Sequence, residues 1–449
     1  MSSPATELAR RPLRAQAAVA AMAAVNRLSR TLGRGAGTVA GGRVGLAVDP
    51  GLLGVLAAGR RTAVVSGTNG KTTTTRLLVS VLAGADGSQP VVTNATGANM
   101  PAGHVAALAA GPPGAPAVLE VDEGYLGHLL EAAAPEVVVL LNLSRDQLDR
   151  ISEVRMLADR WRTALGRLGP AGTDRPGTVV VANADDPLVA WAARAAPSVR
   201  WVGAGQVWSG DAVGCPACGG RITMAGGRWW CDGCDLARPE LDADLDGDTL
   251  VLAGGARLPV DLALPGRFNR ANAALVAEAA TVLAGPDVDA PSAAAEALRR
   301  MGQVTEAAGR FATVVRSGRP VRLLLAKNPA GWTALFDLLD EEAGTTGAPA
   351  AGAPLVCSVN ARVADGTDTS WLWDVPFERL VGRHVVATGD RRLDLAVRLR
   401  YAEVAHVVVD GPLAAVDHAV RSVPTGAGRD ESVQFLGNYT AFADLRRAL

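Results

Sequence analysis

Short, largely apolar runs alternate along this chain with stretches in which apolar positions recur every three or four residues. The runs fall at 62–65, 90–94, 115–123, 136–143 and 178–182, and again at 322–326, 354–359, 383–388 and 406–409. A run with consecutive apolar residues and no polar alternation suits a strand buried on both faces, as in a parallel sheet covered by helices. The expected class is α/β: a doubly wound sheet over residues 56–305 and a second doubly wound α/β domain over 306–449. Residues 1–55 read as a short helical segment. Over 12–32, Leu13, Ala17, Ala20, Ala21, Ala24 and Leu28 fall at helical spacing, with Pro12 tolerated in the first turn. The glycine-rich residues 33–42 read as a flexible joint, with phosphate contact as the other reading. Asp49-Pro50-Gly51 reads as the start of a short helix.

The sharpest local chemistry lies where the 62–65 run ends. Ser66-Gly67-Thr68-Asn69-Gly70-Lys71-Thr72-Thr73 joins a strand to a helical pattern at 76–82. Strand, glycine loop and helix start together make a phosphate site: loop N–H groups curl round an anion, and the helix start adds unpaired donors and partial positive charge. The candidate nucleotide ligands are Gly67, Thr68, Asn69, Gly70, Lys71, Thr72 and Thr73. Lys71 can neutralise β- and γ-phosphate oxygens, and the Thr72 hydroxyl can hold Mg²⁺. Val65 stands where the usual pattern has a glycine. Of 44 basic residues only Lys71 and Lys327 are lysines, so lysine is kept where a compact ammonium has chemical work. The 115–123 run reads as a strand that ends in acids, Glu120, Asp122 and Glu123. An acid at the end of a strand beside a phosphate loop is where a second Mg²⁺ ligand belongs, so Glu120 is the first candidate and Glu123 the second; a helix-capping role is the alternative for either.

Composition narrows the setting. At 449 residues the chain is long enough for several cores, and its net charge of −1 gives no footprint for a nucleic-acid partner. The first 30 residues spread arginines through an Ala-rich stretch and make no secretory signal, and no uncharged apolar run reaches about 18 residues, so a cytoplasmic location without a transmembrane segment is expected. The N-terminal arginines read as a solvated face, with contact to anionic lipid as the alternative. Four of the five cysteines form Cys215-x₂-Cys218 and Cys231-x₂-Cys234, with twelve residues between the pairs. Two such knuckles make a tetrahedral thiolate site for a structural Zn²⁺, in a ribbon of about residues 211–238 inserted in the first α/β domain. Cys357, in an apolar run, reads as a buried inert thiol.

Four motifs in order carry a resemblance: Gly67-Thr68-Asn69-Gly70-Lys71-Thr72-Thr73, Asn142-Leu143-x-Arg145-Asp146-x-Leu148-Asp149, Asn183-Ala184-Asp185-Asp186-Pro187, and Gly266-Arg267-Phe268-Asn269-Arg270-Ala271-Asn272. Together they resemble the central ATPase domain of the Mur ligase family, which activates a carboxylate as an acyl phosphate for attack by an amine. The resemblance places Asn269 and Asn272 near the adenine and Arg310 at the junction where an arginine reaches the phosphates. Gln147 replaces the family's metal-binding His, no lysine is present to be carbamylated between Lys71 and Lys327, and Lys327-Asn328-Pro329-Ala330-Gly331 replaces the usual third-domain motif. About 60 residues precede the phosphate loop, too few for the nucleotide-sugar domain of typical members.

The short N-terminus, the Cys₄ ribbon, Lys327-Asn328-Pro329 and Asp365-Gly366-x-Asp368-x-Ser370-Trp371 resemble one branch of that family, the ligase-like subunits of lipid II isoglutaminyl synthases. This resemblance implies ATP-dependent amidation of the D-glutamate α-carboxylate in the lipid II stem peptide, with ammonia from a GatD-type glutamine amidotransferase subunit in a heterodimer at the inner face of the membrane. It implies that an aspartate of this chain completes the partner's triad; Asp365 and Asp368 both match, and Asp374 ends the same stretch. A helix-capping turn over a packed Trp is the alternative for the stretch. The thiol inventory agrees that the chain does not make ammonia itself, since a glutaminase needs a reactive Cys. A partner-free amino-acid ligase and a non-catalytic nucleotide-binding scaffold are the competing readings.

Overall fold

The first apolar run forms β1 (Thr62–Ser66), buried along its whole length, as a central strand between two helical layers is. The structure, a computed structural model, describes residues 12–32, 38–84, 87–94, 98–145, 151–169, 177–205, 210–305, 311–346, 354–423 and 432–449. Before β1 come α1 (Leu13–Thr31), α2 (Thr38–Val48) and α3 (Leu52–Ala57). After it follow α4 (Lys71–Leu82), β2 (Val92–Thr93), α5 (Pro101–Ala110), β3 (Ala117–Val121), α6 (Leu126–Ala133), β4 (Val137–Leu140), α7 (Ile151–Leu165), β5 (Val179–Asn183), α8 (Pro187–Ala193) and β6 (Val199–Gly203). A hairpin of β7 (Ile222–Ala225) and β8 (Arg228–Cys231) precedes β9 (Ala243–Asp246), β10 (Thr249–Leu252), β11 (Arg257–Pro259), α9 (Arg267–Ala284) and α10 (Ala290–Met301).

One nine-stranded sheet runs in the order β11-β10-β9-β6-β5-β4-β1-β3-β2, parallel except at β9-β10-β11. β1 lies between β3 and β4, so the chain reverses its direction of winding beside the phosphate loop, the position where open α/β sheets bind ligands. β6 and β9–β11, on one side of the sheet, are not foreseen by the apolar runs: only the last two residues of β6 are buried, buried positions alternate with less buried ones in β9 and β10, and β11 has none.

The helix expected over 12–32 forms, and one expectation for the N-terminal segment is corrected. Residues 38–42 of the glycine-rich stretch belong to helix α2, and glycines of that helix serve close packing: a Cβ on Gly42 would lie 2.0 Å from the Ala102 carbonyl oxygen, and one on Gly45 2.4 Å from Met22 Sδ. Residues 33–37 of the expected joint lie outside the described residues. In α1 the buried side is Ala15, Ala18 and Met22, so the stripe through Leu13 and Leu28 faces outward.

The second sheet runs β12-β13-β17-β14-β15-β16, built from β12 (Phe311–Arg316), β13 (Arg319–Leu325), β14 (Leu355–Ser358), β15 (Val385–Thr388), β16 (His406–Val408) and β17 (Val433–Gly437). It is parallel except for the β12–β13 hairpin. Its helices are α11 (Pro329–Thr346), α12 (Arg392–Tyr401), α13 (Pro412–Ser422) and α14 (Tyr439–Ala448). Aromatic packing of Trp332, Phe336, Trp371 and Phe377 fills one of its faces. Two units result: Met1–Leu143 with Arg155–Ala263 and Asn269–Val304, and Ser144–Val154 with Leu264–Phe268 and Thr305–Leu449.

Candidate active site and metal centre

Two glycines give the phosphate loop its shape. Gly70 takes a left-handed conformation (φ 86°) immediately before α4, and a Cβ there would lie 2.9 Å from Asn272 Oδ1. A Cβ on Gly67 would meet Leu141 Cβ at 2.8 Å. The loop is therefore pressed between the end of β4 and the start of α9, and Asn272 is brought to it from 202 residues away in sequence.

Asn142 is the clamp. Its Oδ1 accepts the Asn69 N–H at 2.9 Å, its Nδ2 donates to the Asn69 carbonyl at 3.0 Å, and its own carbonyl accepts the Thr68 N–H at 2.9 Å. The sequence displays Asn142 within a motif but gives no hint of this pairing, which depends on β1 and β4 lying side by side.

Lys71 is almost wholly buried. Its Nζ donates to the carbonyls of Gly67 at 2.5 Å and Thr68 at 3.3 Å and to Glu123 Oε2 at 3.0 Å. The ammonium is thus held inside the loop's curve, where phosphate oxygens would compete for it. Glu123 opens a short 3₁₀ turn after β3, and its carbonyl accepts from Trp161 Nε1 at 2.9 Å. Of the two candidate Mg²⁺ ligands, Glu123 is committed to Lys71. Glu120 lies in register with Val65 at the end of β3, buried, and its carboxylate makes no hydrogen bond or ion pair with the described residues. Its backbone is held instead: Asn94 bonds both its N–H and its carbonyl, and His104 Nε2 donates to that carbonyl at 2.8 Å. Burial lowers the His104 pKa, with the bond to the Glu120 carbonyl opposing, so a neutral imidazole with its proton on Nε2 fits the site. Thr72 follows Lys71 in the first turn of α4, partly exposed, and Thr73 is buried. Among the described residues neither the Glu120 carboxylate nor the Thr72 hydroxyl has a hydrogen-bond partner, and both are oxygen donors of the kind a hard divalent cation beside phosphates takes. Asn269 is buried in the first turn of α9. Lys327 lies in the second unit, before Asn328, which caps α11 through Gly331 N–H at 2.9 Å. Arg310 and Gln147 lie outside the described residues.

The four thiols converge. Cys215, Cys218, Cys231 and Cys234 place their sulfurs within 4.8 Å of one another. Gly220 N–H donates to Cys218 Sγ and Gly233 N–H to Cys231 Sγ, each at 3.3 Å, as thiolate knuckles require. A Cβ on Gly220 would stand 3.1 Å from both of those sulfurs. Gly226-Gly227, both at positive φ, close the β7–β8 hairpin in a two-residue turn. With four sulfurs round one point, these residues fit a closed metal site.

The ribbon is locked to the turn after β5. Trp229 Nε1 donates to the Ala184 carbonyl at 2.9 Å, and Arg238 Nε to Asp185 Oδ1 at 2.5 Å. Asp186 in the same turn caps α8 and accepts the Leu143 N–H at 2.8 Å, next to the clamp residue.

In the second unit Asp365 and Asp368 have different surroundings. Asp365 is buried, and both of its oxygens are taken by Thr440, through its N–H at 2.9 Å and its hydroxyl, fixing the start of α14. Asp368 is exposed and accepts the Ser370 N–H at 2.8 Å and hydroxyl at 2.7 Å, bonds that hold its pKa below the usual range. Asp368 and Ser370 thus form a turn at the start of the short 3₁₀ helix Ser370–Asp374, whose N-cap residue Thr369 makes no side-chain cap bond. Trp371 packs beneath it on Trp332, with ring centroids 6.5 Å apart, while Trp373 stays exposed against Tyr401 at 5.3 Å. Buried Arg398 ties the turn down, donating to the carbonyls of Leu372 at 3.1 Å and Val375 at 2.7 Å. Cys357 is fully buried and its thiol pKa is pushed up by that burial.

Comparison with known proteins fits this geometry. Residues 65–213 match the Mur ligase middle domain, and residues 325–442 match the MurT ligase C-terminal region. MurF from Acinetobacter baumannii has the same fold, with a TM-score of 0.60 at 16% identity over 90% of this chain and 80% of that one. Fold and phosphate loop define an ATP-dependent ligase of the Mur type. The chain is 30% identical over 393 residues to the MurT subunit of lipid II isoglutaminyl synthase (glutamine-hydrolyzing) of Streptococcus pneumoniae, covering 82% of each. It is 29% identical over 400 residues to that of Staphylococcus aureus, covering 84% of this chain and 85% of the other. The chain belongs to the MurT family.

Proposed function

We propose that this chain is the ligase subunit of a lipid II isoglutaminyl synthase. A carboxylate oxygen of stem-peptide D-glutamate attacks the γ-phosphorus of ATP, and ADP leaves. Ammonia then attacks the acyl carbon of the resulting acyl phosphate, phosphate leaves, a proton is lost, and D-isoglutamine results. Lys71 neutralises phosphate charge, the loop N–H groups orient the chain of phosphates, and Asn269, Asn272, Arg310 and Lys327 complete nucleotide binding. Thr72 and Glu120 are the residues that would hold Mg²⁺, which supplies charge neutralisation on the transferring phosphoryl group. The four ribbon cysteines would hold a structural Zn²⁺.

The thiol inventory carries the need for a partner. Of the five cysteines, four converge on one metal-type site and Cys357 is sealed in a strand, so no side chain here offers a glutaminase nucleophile. Ammonia then comes from a separate glutamine amidotransferase subunit of the GatD type, consistent with the word "subunit" in the names of the relatives. Asp368 suits the role of completing that subunit's triad, because it is exposed, while Asp365 is spent on Thr440. Exposed Trp373, Leu393, Val397 and Tyr401 lie on this turn and on α12, and aromatic and apolar residues of that kind favour a protein contact. The working location is the cytoplasmic face of the membrane, where the lipid-linked substrate resides. With ATP and lipid II but no ammonia, hydroxylamine should trap the acyl phosphate as a hydroxamate, and Lys71→Ala should form none. Hydroxamate formation at wild-type rates in that variant would refute the assignment.

A further inference from the structure

The N-terminal helical hairpin presents an unusual outer face. A surface helix normally buries one apolar stripe and shows a polar one. α1 is apolar on both sides: Ala15, Ala18 and Met22 are buried, while Leu13, Ala17, Ala20, Ala24 and Leu28, spaced i, i+4, i+7, i+11, i+15, form a stripe that faces outward. Leu13 is 83% exposed, and Leu28 and Leu32 are each 60% exposed. Val39, at the start of α2, adds a further exposed apolar residue.

Charge on this hairpin has one sign. From Leu13 to Val48 the sequence holds no aspartate or glutamate, although the chain as a whole carries 45 acids against 44 bases. Arg27 and Arg30 on α1 and Arg43 on α2 are exposed, and Arg14 donates to the Val48 carbonyl at 2.7 Å, closing the hairpin. The hairpin is also rigid in its packing, since Gly41, Gly42 and Gly45 let α2 sit directly against Asn26, Met22 and Ala102. Large apolar residues rimmed by arginines, without a compensating acid, complement a surface that is negatively charged outside and apolar below it.

We infer that this hairpin is a peripheral membrane-binding surface that lies on an anionic bilayer. Leucines and alanines of the α1 stripe enter the headgroup boundary, and Arg27, Arg30 and Arg43 pair with lipid phosphates. Among the described residues no helix is long and apolar enough to cross a membrane, so the attachment is a reversible one along the surface. The inference rests on the proposed lipid-linked substrate, for which a surface hold on the bilayer would raise the local concentration.

The test is sedimentation of the full chain with vesicles. Binding to phosphatidylglycerol vesicles, weakened by salt and absent with phosphatidylcholine vesicles, is the expected result. Arg27→Ser, Arg30→Ser and Arg43→Ser should each lower the partition coefficient about fivefold. Leu13→Gln with Leu28→Gln should lower it as well, and because both side chains are already exposed, melting should not change. Amidation of a water-soluble stem-peptide fragment should be the same in all these variants, since none touches the phosphate loop. A chain that stays in the supernatant, equal binding to both vesicle types, binding unaffected by the arginine substitutions, or a face consumed by self-association in solution would overturn the inference. Failure of amidation in the wild-type complex would instead count against the proposed reaction and leave the vesicle result standing.

Discussion

Asn142→Ala isolates the clamp on the phosphate loop. The substitution removes two neutral hydrogen bonds, the Asn69 N–H to Oδ1 at 2.9 Å and Nδ2 to the Asn69 carbonyl at 3.0 Å. It leaves the backbone bond from the Thr68 N–H to the residue 142 carbonyl in place. At about 1 kcal/mol net each, the loss is about 2 kcal/mol. If it falls entirely on the loop's closed conformation, the binding-competent fraction drops and nucleotide affinity falls by up to about 30-fold. Asn142→Asp keeps an acceptor for the Asn69 N–H but loses the donor, so it should fall about midway, near fivefold. Equilibrium titration with a fluorescent ADP analogue measures the loss, and a parallel melt confirms that both variants fold. Affinity within twofold of wild type in a folded Asn142→Ala protein would show that the loop holds its shape without the clamp.

Other consequences follow from the same contacts. Asp365→Asn should lower the melting temperature, because a buried carboxylate that anchors α14 through Thr440 is weakened, whereas Asp368→Asn should leave it nearly unchanged and impair glutamine-driven but not ammonium-driven turnover in the complex; equal effects on both nitrogen sources would remove Asp368 from the partner's chemistry. Each Cys→Ser change in the ribbon should reduce bound zinc by elemental analysis and, through Trp229 and Arg238 on the turn that holds Leu143, weaken nucleotide binding; full metal content in all four variants would refute the site. Burial raises the Glu278 pKa above its ordinary 4.5, with Arg200 opposing. The protonated form is thus favoured on folding, and stability is lost as pH rises through the raised value. Glu278→Gln should therefore melt higher than wild type at neutral pH, with the difference closing toward pH 4.5; a lower melting temperature at neutral pH would show that the Arg200 pair outweighs burial.

What the sequence reveals depends on how local each feature is. The phosphate loop, the acid at the end of β3 and the cysteine knuckles are legible because each is a short run with fixed spacing. Asn142 and His104 are not, since each holds the backbone of a residue brought near by the sheet or by α5. β17 is the last strand in sequence yet sits between β13 and β14, a placement no periodicity reports. Alanine leaves the buried side of α1 undetermined from sequence: it is apolar on either side, and Ala15, Ala18 and Met22 form the inward stripe. Glycine misleads in residues 38–42, where its value is close helix approach and not freedom. The acidic turn is legible as a motif, but only burial separates Asp365, spent on the fold, from Asp368 at the surface.

The decisive measurement is mass-spectrometric detection of amidated stem peptide after incubating the purified chain with ATP, Mg²⁺ and lipid II, with either ammonium or glutamine as the nitrogen source. An amidating ligase that lacks its glutaminase subunit should convert D-glutamate to D-isoglutamine with ammonium, should fail with glutamine, and should gain the glutamine reaction when a GatD-type subunit is added. Conversion with glutamine by the chain alone, or product only when an amino acid is supplied in place of ammonium, would contradict it.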